Sequence, residues 1–218
     1  MPMRNILLTA SALTLAAVPA SADFSAQAMT DLNLRAGPGP QYEIIGVIKG
    51  EDTAFVEGCL ETADWCRVSY DGTEGWAYGA YLTETMDAPE PIVSTEARTS
   101  VGTVTYEGGD TAGAAAAGGV AGAIIGGMIL GGPLGAAAGA VLGSAAGATA
   151  EVSTTTVTYV RENALEPVYL EGEVVTGAAL PDVVTLAEIP DDTYAYAYVN
   201  GLPVIVDPET RVIVHVVR

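Results

Sequence analysis

The central part of the chain is a run of small apolar residues without charge. Residues 111 to 150 carry no charged side chain, and glycine recurs there at every fourth position. The longest series is Gly127, Gly131, Gly135, Gly139, Gly143 and Gly147. On a helix this spacing forms a smooth stripe against which a second helix can pack closely. Because each glycine costs about 1 kcal/mol relative to alanine in a helix, such a stripe is typical of membranes or of tightly packed helices. The run divides the chain in two.

Pro133 follows two glycines near the middle of this run and predicts two helical arms, residues 113–130 and 133–149. The spacing and composition resemble the glycine-zipper helical hairpins of bacterial envelope proteins. We therefore expect residues 111–150 to form a membrane-associated helical hairpin. We expect it to pack through Gly127, Gly131, Gly135, Gly139 and Gly143. The alternative is a low-complexity linker, because alanine and glycine are only weakly apolar.

The N-terminal residues 1–22 have the pattern of a secretory signal. Arg4 precedes an apolar run, and Ala20-Ser21-Ala22 is a small-x-small cleavage site. We therefore predict an exported protein of the periplasm or cell envelope, associated with a membrane if the hairpin inserts. In that oxidising compartment Cys59 and Cys66, the only two cysteines, are predicted to form a disulfide.

The charge balance is strongly acidic. The chain has 8 Lys+Arg against 27 Asp+Glu, a formal net charge of −19. This disfavours binding to nucleic acid or to an anionic lipid surface, which both require basic patches. Two cysteines and the single histidine, His215, do not provide the ligands of a zinc site. We predict no metal and no cofactor.

Residues 29–84, the first module, contain several strand-length apolar runs separated by turn residues. Gly37-Pro38-Gly39-Pro40 predicts a loop, and Asp71-Gly72 predicts a tight hairpin. Several short strands within about fifty residues indicate a small barrel or sandwich.

The first module resembles a bacterial SH3 (SH3b) domain. The residues that carry the resemblance are Leu32 to Gly39, Tyr42, Ile45 to Gly50, Trp65 to Val68, Gly75 to Ala77, and Tyr81-Leu82. The resemblance implies an SH3-like small barrel that binds a cell-wall peptide or an envelope protein. Tyr42 and Trp65, beside a loop and at a strand start, are the candidate groove wall. Arg35 either meets a carboxylate ligand or pairs with a nearby acid. For Trp76, burial in the barrel is the favoured interpretation.

Residues 85–110 are predicted to be a flexible or weakly extended linker, because they contain prolines and few large apolar side chains. In the second module, residues 152–218, Val152 to Val160 is rich in valine and threonine and predicts a strand or an extended segment. Asn200-Gly201 predicts a hairpin within a three-stranded antiparallel meander at the end of the chain.

The second module resembles a family of unknown function, DUF1236. The resemblance rests on Tyr169 to Val174, Ala179 to Pro181, and Tyr198 to Gly201 through Asp207-Pro208. It implies a domain boundary and no mechanism.

No catalytic constellation is present in this pattern. Both cysteines are better used in a bridge, and His215 lies between valines in a predicted strand. We therefore predict a mainly β, non-enzymatic binding or scaffolding protein of the cell envelope. The alternative is a structural membrane-associated protein that forms homo-oligomers through the glycine stripe. A carboxylate-dependent wall hydrolase is a remote third class.

Overall fold

The structure is a computed structural model, and it describes residues 24–61, 63–106, 129–133 and 152–218. The predicted signal at residues 1–22 lies outside these ranges. The described chain is mainly β, as predicted. It forms two principal sheets, one in each module.

The first sheet is a curled half-barrel. Its strands are β1 (Phe24–Ala28), β2 (Leu32–Arg35), β3 (Ile44–Ile48), β4 (Thr53–Leu60), β5 (Trp65–Tyr70), β6 (Thr73–Tyr78), β7 (Leu82–Thr83) and β8 (Thr103–Val104). Their order is β3-β2-β6-β5-β4-β1-β7, and β8 pairs with β4. Alternate side chains such as Leu34, Val68 and Ala77 are buried at 0–1% exposure. They fill the inner face because successive residues of a strand point to opposite sides.

The tight turns of both sheets form where the sequence predicts them. Asp71 and Gly72 have φ of 50° and 76°, and Asn200 and Gly201 have φ of 53° and 81°. Two successive residues in the left-handed region are the requirement of a type I′ hairpin, which Asn-Gly and Asp-Gly pairs satisfy at little cost. Both predicted hairpins are confirmed.

The second module combines one helix with an antiparallel sheet. Helix α1 is Thr154–Glu162, and the strands are β10 (Tyr169–Glu171), β11 (Ala187–Glu188), β12 (Ala195–Val199), β13 (Leu202–Val206) and β14 (Ile213–Val216). The sheet order is β11-β12-β13-β14. Val160 of α1 is buried in a cluster with Tyr196, Ile205 and Val214 of the sheet. The predicted antiparallel meander is confirmed.

The strand or extended segment predicted for Val152 to Val160 is wrong, because most of this segment is helix α1. The Ser153 side chain accepts a hydrogen bond of 3.1 Å from the backbone nitrogen of Thr156 and so caps the helix. Val160 and Thr156, four positions apart, are both buried on the same side. Packing of that side and the cap override the β propensity of valine and threonine.

The central helical hairpin is not supported. Residues Ile129–Pro133 form strand β9, which pairs in parallel with β10. The predicted helical arm 113–130 is therefore wrong at Ile129 and Leu130, and Gly131 lies in a strand. Glycine lowers the helix propensity of this segment, and the backbone of the segment pairs instead with the edge of β10. The other predicted packing glycines, Gly127, Gly135, Gly139 and Gly143, lie outside the described residues. Within the described ranges α1 is the sole α-helix, and no helix has the length and apolar character needed to span a membrane.

Residues 85–106, which we call the strap, pack on the first sheet, although the sequence predicts a weakly extended linker there. Ile92 and Val101 are buried. Arg98 donates hydrogen bonds of 3.0 Å to the carbonyl oxygens of Leu60 and Val93. The Cys59 amide donates to the Gly102 carbonyl at 2.8 Å, where β8 joins β4. These contacts, together with the ion pair between Arg98 and Asp64, hold the strap against the first sheet.

The two modules share one apolar core. A single buried cluster includes Trp65, Tyr78 and Tyr81 of the first module together with Leu170 and Val174 of the second. The modules therefore meet through a desolvated surface, and this contact determines which part of the first sheet remains open.

Candidate functional site: a groove beside a covered sheet face

Strand register places the candidate residues on one face of the first sheet. Trp76 of β6 lies opposite Arg35 of β2 and Arg67 of β5, and Tyr78 lies opposite Trp65. Paired residues of antiparallel strands share a face, as do residues two apart on one strand. We call the face that carries these five residues the outer face. It has a covered part, with Arg35, Trp65 and Tyr78, and an open part, where Arg67 is exposed and Trp76, itself buried, borders a groove.

Arg35 anchors the covered part. Its Nε and Nη2 donate to the two carboxylate oxygens of Glu173 in the second module, and Nη2 also donates to the carbonyl of Asn200 at 3.1 Å. Its Nη1 donates to the carbonyl oxygens of Pro40 at 2.8 Å and Tyr42 at 2.7 Å. Every N–H of the guanidinium thus has an acceptor, and the pair with Glu173 is bidentate. Because Arg35 is 1% exposed and Glu173 is 0% exposed, this pairing is the condition for burying either charge.

The second module shapes the Glu173 side of this contact with backbone hydrogen bonds. Glu173 Oε1 also accepts from the backbone nitrogen of Val174 at 2.9 Å. The Asn200 side chain accepts from the nitrogen of Leu170 at 2.8 Å and donates to the carbonyl of Gly172 at 3.0 Å. The β12–β13 turn therefore holds the segment that presents the carboxylate.

An aromatic cluster fills the rest of the covered part. The rings of Trp65 and Tyr78 have centroids 5.5 Å apart, and Tyr78 and Tyr81 are 5.9 Å apart. Burial raises the pKa of the Tyr78 hydroxyl, and the negative charges of Asp64 and Glu171 add to this. Burial, followed by the charge of Glu173, likewise raises the pKa of Tyr81. The acidic residues of the second module thus lie close to the aromatic side chains of the first.

The open part is a groove of about 460 Å³. Its lining residues come from β2, β5, β6 and the strap: Ala36, Arg67, Glu74, Gly75, Trp76, Thr105 and Tyr106. The Tyr106 ring meets the Trp76 ring edge-on at 5.5 Å and the Tyr42 ring edge-on at 6.0 Å. Burial, followed by a hydrogen bond with Tyr106, raises the pKa of Tyr42. The groove therefore combines two aromatic side chains with a lining surface that is mostly polar.

The arginine that lines the groove, Arg67, is exposed and already paired with acidic side chains. Arg67 lies 3.1 Å from carboxylate oxygens of both Glu57 and Glu74, and its side chain is 45% exposed. Two acids on one arginine leave this rim net negative. A ligand group that approaches the rim therefore meets a positive centre already screened by carboxylates.

Tyr42 is placed by a glycine. A Cβ atom on Gly37 would lie 2.4 Å from a ring carbon of Tyr42, so the ring rests directly on the backbone of Gly37. No other residue type leaves this room. The Gly-Pro-Gly-Pro loop, read from the sequence as irregular, thus folds back to carry Tyr42 toward Tyr106.

The structure brings together two of the three residues predicted to bind ligand. Arg35 and Tyr42 are hydrogen-bonded neighbours, whereas Trp65 lies in the covered part at 4% exposure. Their role in binding stays a prediction. Trp76, interpreted from the sequence as a barrel residue, lines the groove although it is 6% exposed. Sequence reasoning missed Tyr106. Its signal was that it is the only aromatic residue in 85–110.

The predicted disulfide is confirmed. Cys59 and Cys66 are bonded and lie directly opposite one another on β4 and β5. Both are buried. The bridge therefore joins neighbouring strands on the inner face, below the outer face that carries the groove.

Comparison with known families identifies two domains in the chain. Residues 30–83 match the family described as Bacterial SH3 domain, and residues 159–218 match the family described as Domain of unknown function (DUF1236). Both resemblances read from the sequence are thereby confirmed. No curated protein matches the chain. Neither matched family is an enzyme family, and a bacterial SH3 domain with a disulfide fits an extracellular or envelope protein.

Proposed function

We propose that this chain is a non-enzymatic binding protein of the cell envelope, and that the groove of its first module takes up a cell-wall peptide or a segment of an envelope protein. The observation that carries the proposal is the open groove lined by Tyr106, Trp76 and Arg67 on a bacterial SH3 domain. Bacterial SH3 domains generally bind peptides or cell-wall components.

The groove lining supports an extended peptide as the ligand. Arg67, Glu74 and Thr105 offer exposed polar groups along the groove, and Tyr106 offers a partly exposed aromatic ring. The Tyr42 ring packs edge-on against Tyr106 and so supports this wall of the groove. In this proposal Arg35 holds the loop in place from within the fold, and Trp65 packs in the covered part of the outer face without touching the ligand.

The test is co-sedimentation of the full chain with purified peptidoglycan, followed by titration with soluble stem peptides. Tyr106→Ala removes one groove wall that lies on the strap and outside the sheet. Loss of an anchoring aromatic side chain costs about 2 kcal/mol or more in binding, so affinity should fall at least about 30-fold. Phe55→Ala is the matched control, because Phe55 is an aromatic residue of the same module that is 57% exposed and does not line the groove.

Equal affinity of Tyr106→Ala and wild type would exclude the groove. If wild type does not sediment with peptidoglycan, the wall component is excluded and an envelope protein remains as partner. Release of soluble muropeptides by wild type would instead indicate a hydrolase. Self-association without any ligand would favour the alternative of a self-assembling structural protein, which sedimentation velocity of wild type measures.

A further inference from the structure

We infer that Glu173 of the second module is a positioning residue for the groove of the first, and that it acts through Arg35. The inference rests on the proposed binding function. It assigns the second module a role in the shape of the binding site, through three contacts in series.

The first contact fixes the guanidinium. Glu173 is the only carboxylate paired with Arg35 among the described residues. Together with the Asn200 carbonyl, it accepts three of the five hydrogen bonds that Arg35 donates. Without these acceptors a charge that is 1% exposed would be left without its counterion, and the guanidinium would have to move toward water.

The second contact fixes the loop. Nη1 of the same guanidinium donates hydrogen bonds to the carbonyl oxygens of Pro40 and Tyr42. The loop has three further backbone hydrogen bonds. The Ala36 nitrogen donates to the Glu43 carbonyl at 2.9 Å, the Gly39 nitrogen to the Gly37 carbonyl at 3.0 Å, and the Tyr42 nitrogen to the Gly39 carbonyl at 3.3 Å. If the guanidinium moves, the loop therefore loses the hydrogen bonds that hold these two carbonyl groups close together.

The third contact reaches the groove. The Tyr42 ring, carried by this loop, packs edge-on against Tyr106, and Tyr106 packs edge-on against Trp76. A displaced loop removes the support of the groove wall. Because a preorganised site binds with less loss of conformational freedom than a mobile one, a fixed wall raises affinity.

The experiment compares Glu173→Gln with Glu171→Gln in the full chain. Glu171 is an exposed carboxylate two residues away on the same segment, so it is a matched control for charge. Hydrogen exchange of the Ala36 and Tyr42 amides reports the loop, and the amides of β5 report the rest of the sheet. In Glu173→Gln we expect exchange in the loop to be at least about tenfold faster relative to β5. Binding to peptidoglycan should fall several-fold. Glu171→Gln should change neither.

A purely structural tie would accelerate exchange in the loop and in β5 equally, and that result would overturn the inference. Unchanged loop exchange in Glu173→Gln would also overturn it, whatever happens to binding. If the loop responds as expected while wild type itself does not bind peptidoglycan, the positioning role stands and binding to the wall fails. Should Glu173→Gln not fold, Glu173→Asp retains the charge at a shorter reach, and faster loop exchange is expected there too.

Discussion

The covered and open parts of the outer face carry the same kinds of residue and use them differently. Each has an arginine and a tryptophan, and Trp76 lies directly between Arg35 and Arg67 in the strand register. On the covered side Arg35 is enclosed and bonded at every donor. On the open side Arg67 is half exposed and lies between two surface acids. For the two arginines, contact with the second module and not residue type decides which one remains available to a ligand. Trp76 is covered instead by Tyr106 of the strap.

The largest expected effect comes from the two arginines. Arg35→Ala should lower the free energy of unfolding by about 3 to 5 kcal/mol, because it leaves the Glu173 carboxylate buried without its counterion. Arg67→Ala should cost at most about 1 kcal/mol, because its pairs are exposed and screened. Chemical denaturation of both variants measures the contrast. Equal losses of unfolding free energy in the two variants would contradict the expected difference between the buried and the exposed ion pairs.

The next effect concerns the bridge beneath the face. Replacing Cys59 and Cys66 together by alanine should cost about 2 to 3 kcal/mol by loss of the constraint on the unfolded chain. Tryptophan fluorescence follows the first module, which holds both tryptophans, and hydrogen exchange of β12 and β13 follows the second. If the covered part joins the modules into one unit, both probes should report the same midpoint. Two separate transitions would contradict that joint unfolding.

A smaller effect is expected from Gly37→Ala, at about 2 kcal/mol, because the added methyl would overlap the Tyr42 ring. The ring must then move away from Tyr106 on the open side. The tryptophan fluorescence of the folded variant should change, since Tyr106 covers Trp76. Gly72→Ala is the comparison variant: its site has open space around it, although its φ of 76° adds backbone strain of its own. Unaltered fluorescence in Gly37→Ala would argue against the contact chain from the loop to the groove.

The smallest effect lies at the rim of the module contact, at Asp31. Burial acts to raise the pKa of this carboxyl. The Gly50 backbone nitrogen, Lys49 and the charge of Arg218 outweigh burial, and the pKa lies below its ordinary value of 3.8. A depressed carboxyl pKa stabilises the folded state above the unfolded value, and this contribution is lost as the pH falls below it.

The free energy of unfolding of wild type should therefore decrease as the pH is lowered below about 4. In Asp31→Asn this decrease should be smaller. Because Lys49 and Asp31 are exposed, added salt should weaken this contribution at neutral pH. The buried Arg35–Glu173 pair should respond little to salt. An acid transition identical in wild type and Asp31→Asn would remove Asp31 from this account.

Sequence reasoning succeeds here where the cause is local. Asn200-Gly201 and Asp71-Gly72 determine their turns through backbone conformation alone, and the two cysteines lie on one hairpin. It fails where distant residues decide. Ser153 to Val160 has strand propensity, yet packing against β12 to β14 makes it helical. The choice between ligand and internal partner for Arg35 could not be made, because its acid lies 138 residues further along the chain. Tyr106 becomes part of the groove only once the strap is packed.

The separation of 138 residues between Arg35 and Glu173 also sets the order in which contacts form as the chain is made and folds. Hairpins such as β5–β6 and the bridge between Cys59 and Cys66 close short loops and can form early. The bonds from Arg35 to Glu173 must wait until the last third of the chain has been synthesised and has folded. During that interval Trp65, Tyr78 and the arginine stand without their cover, as an apolar surface with an unpaired charge. The newly made first module is therefore at its most aggregation-prone before its own C-terminal partner arrives.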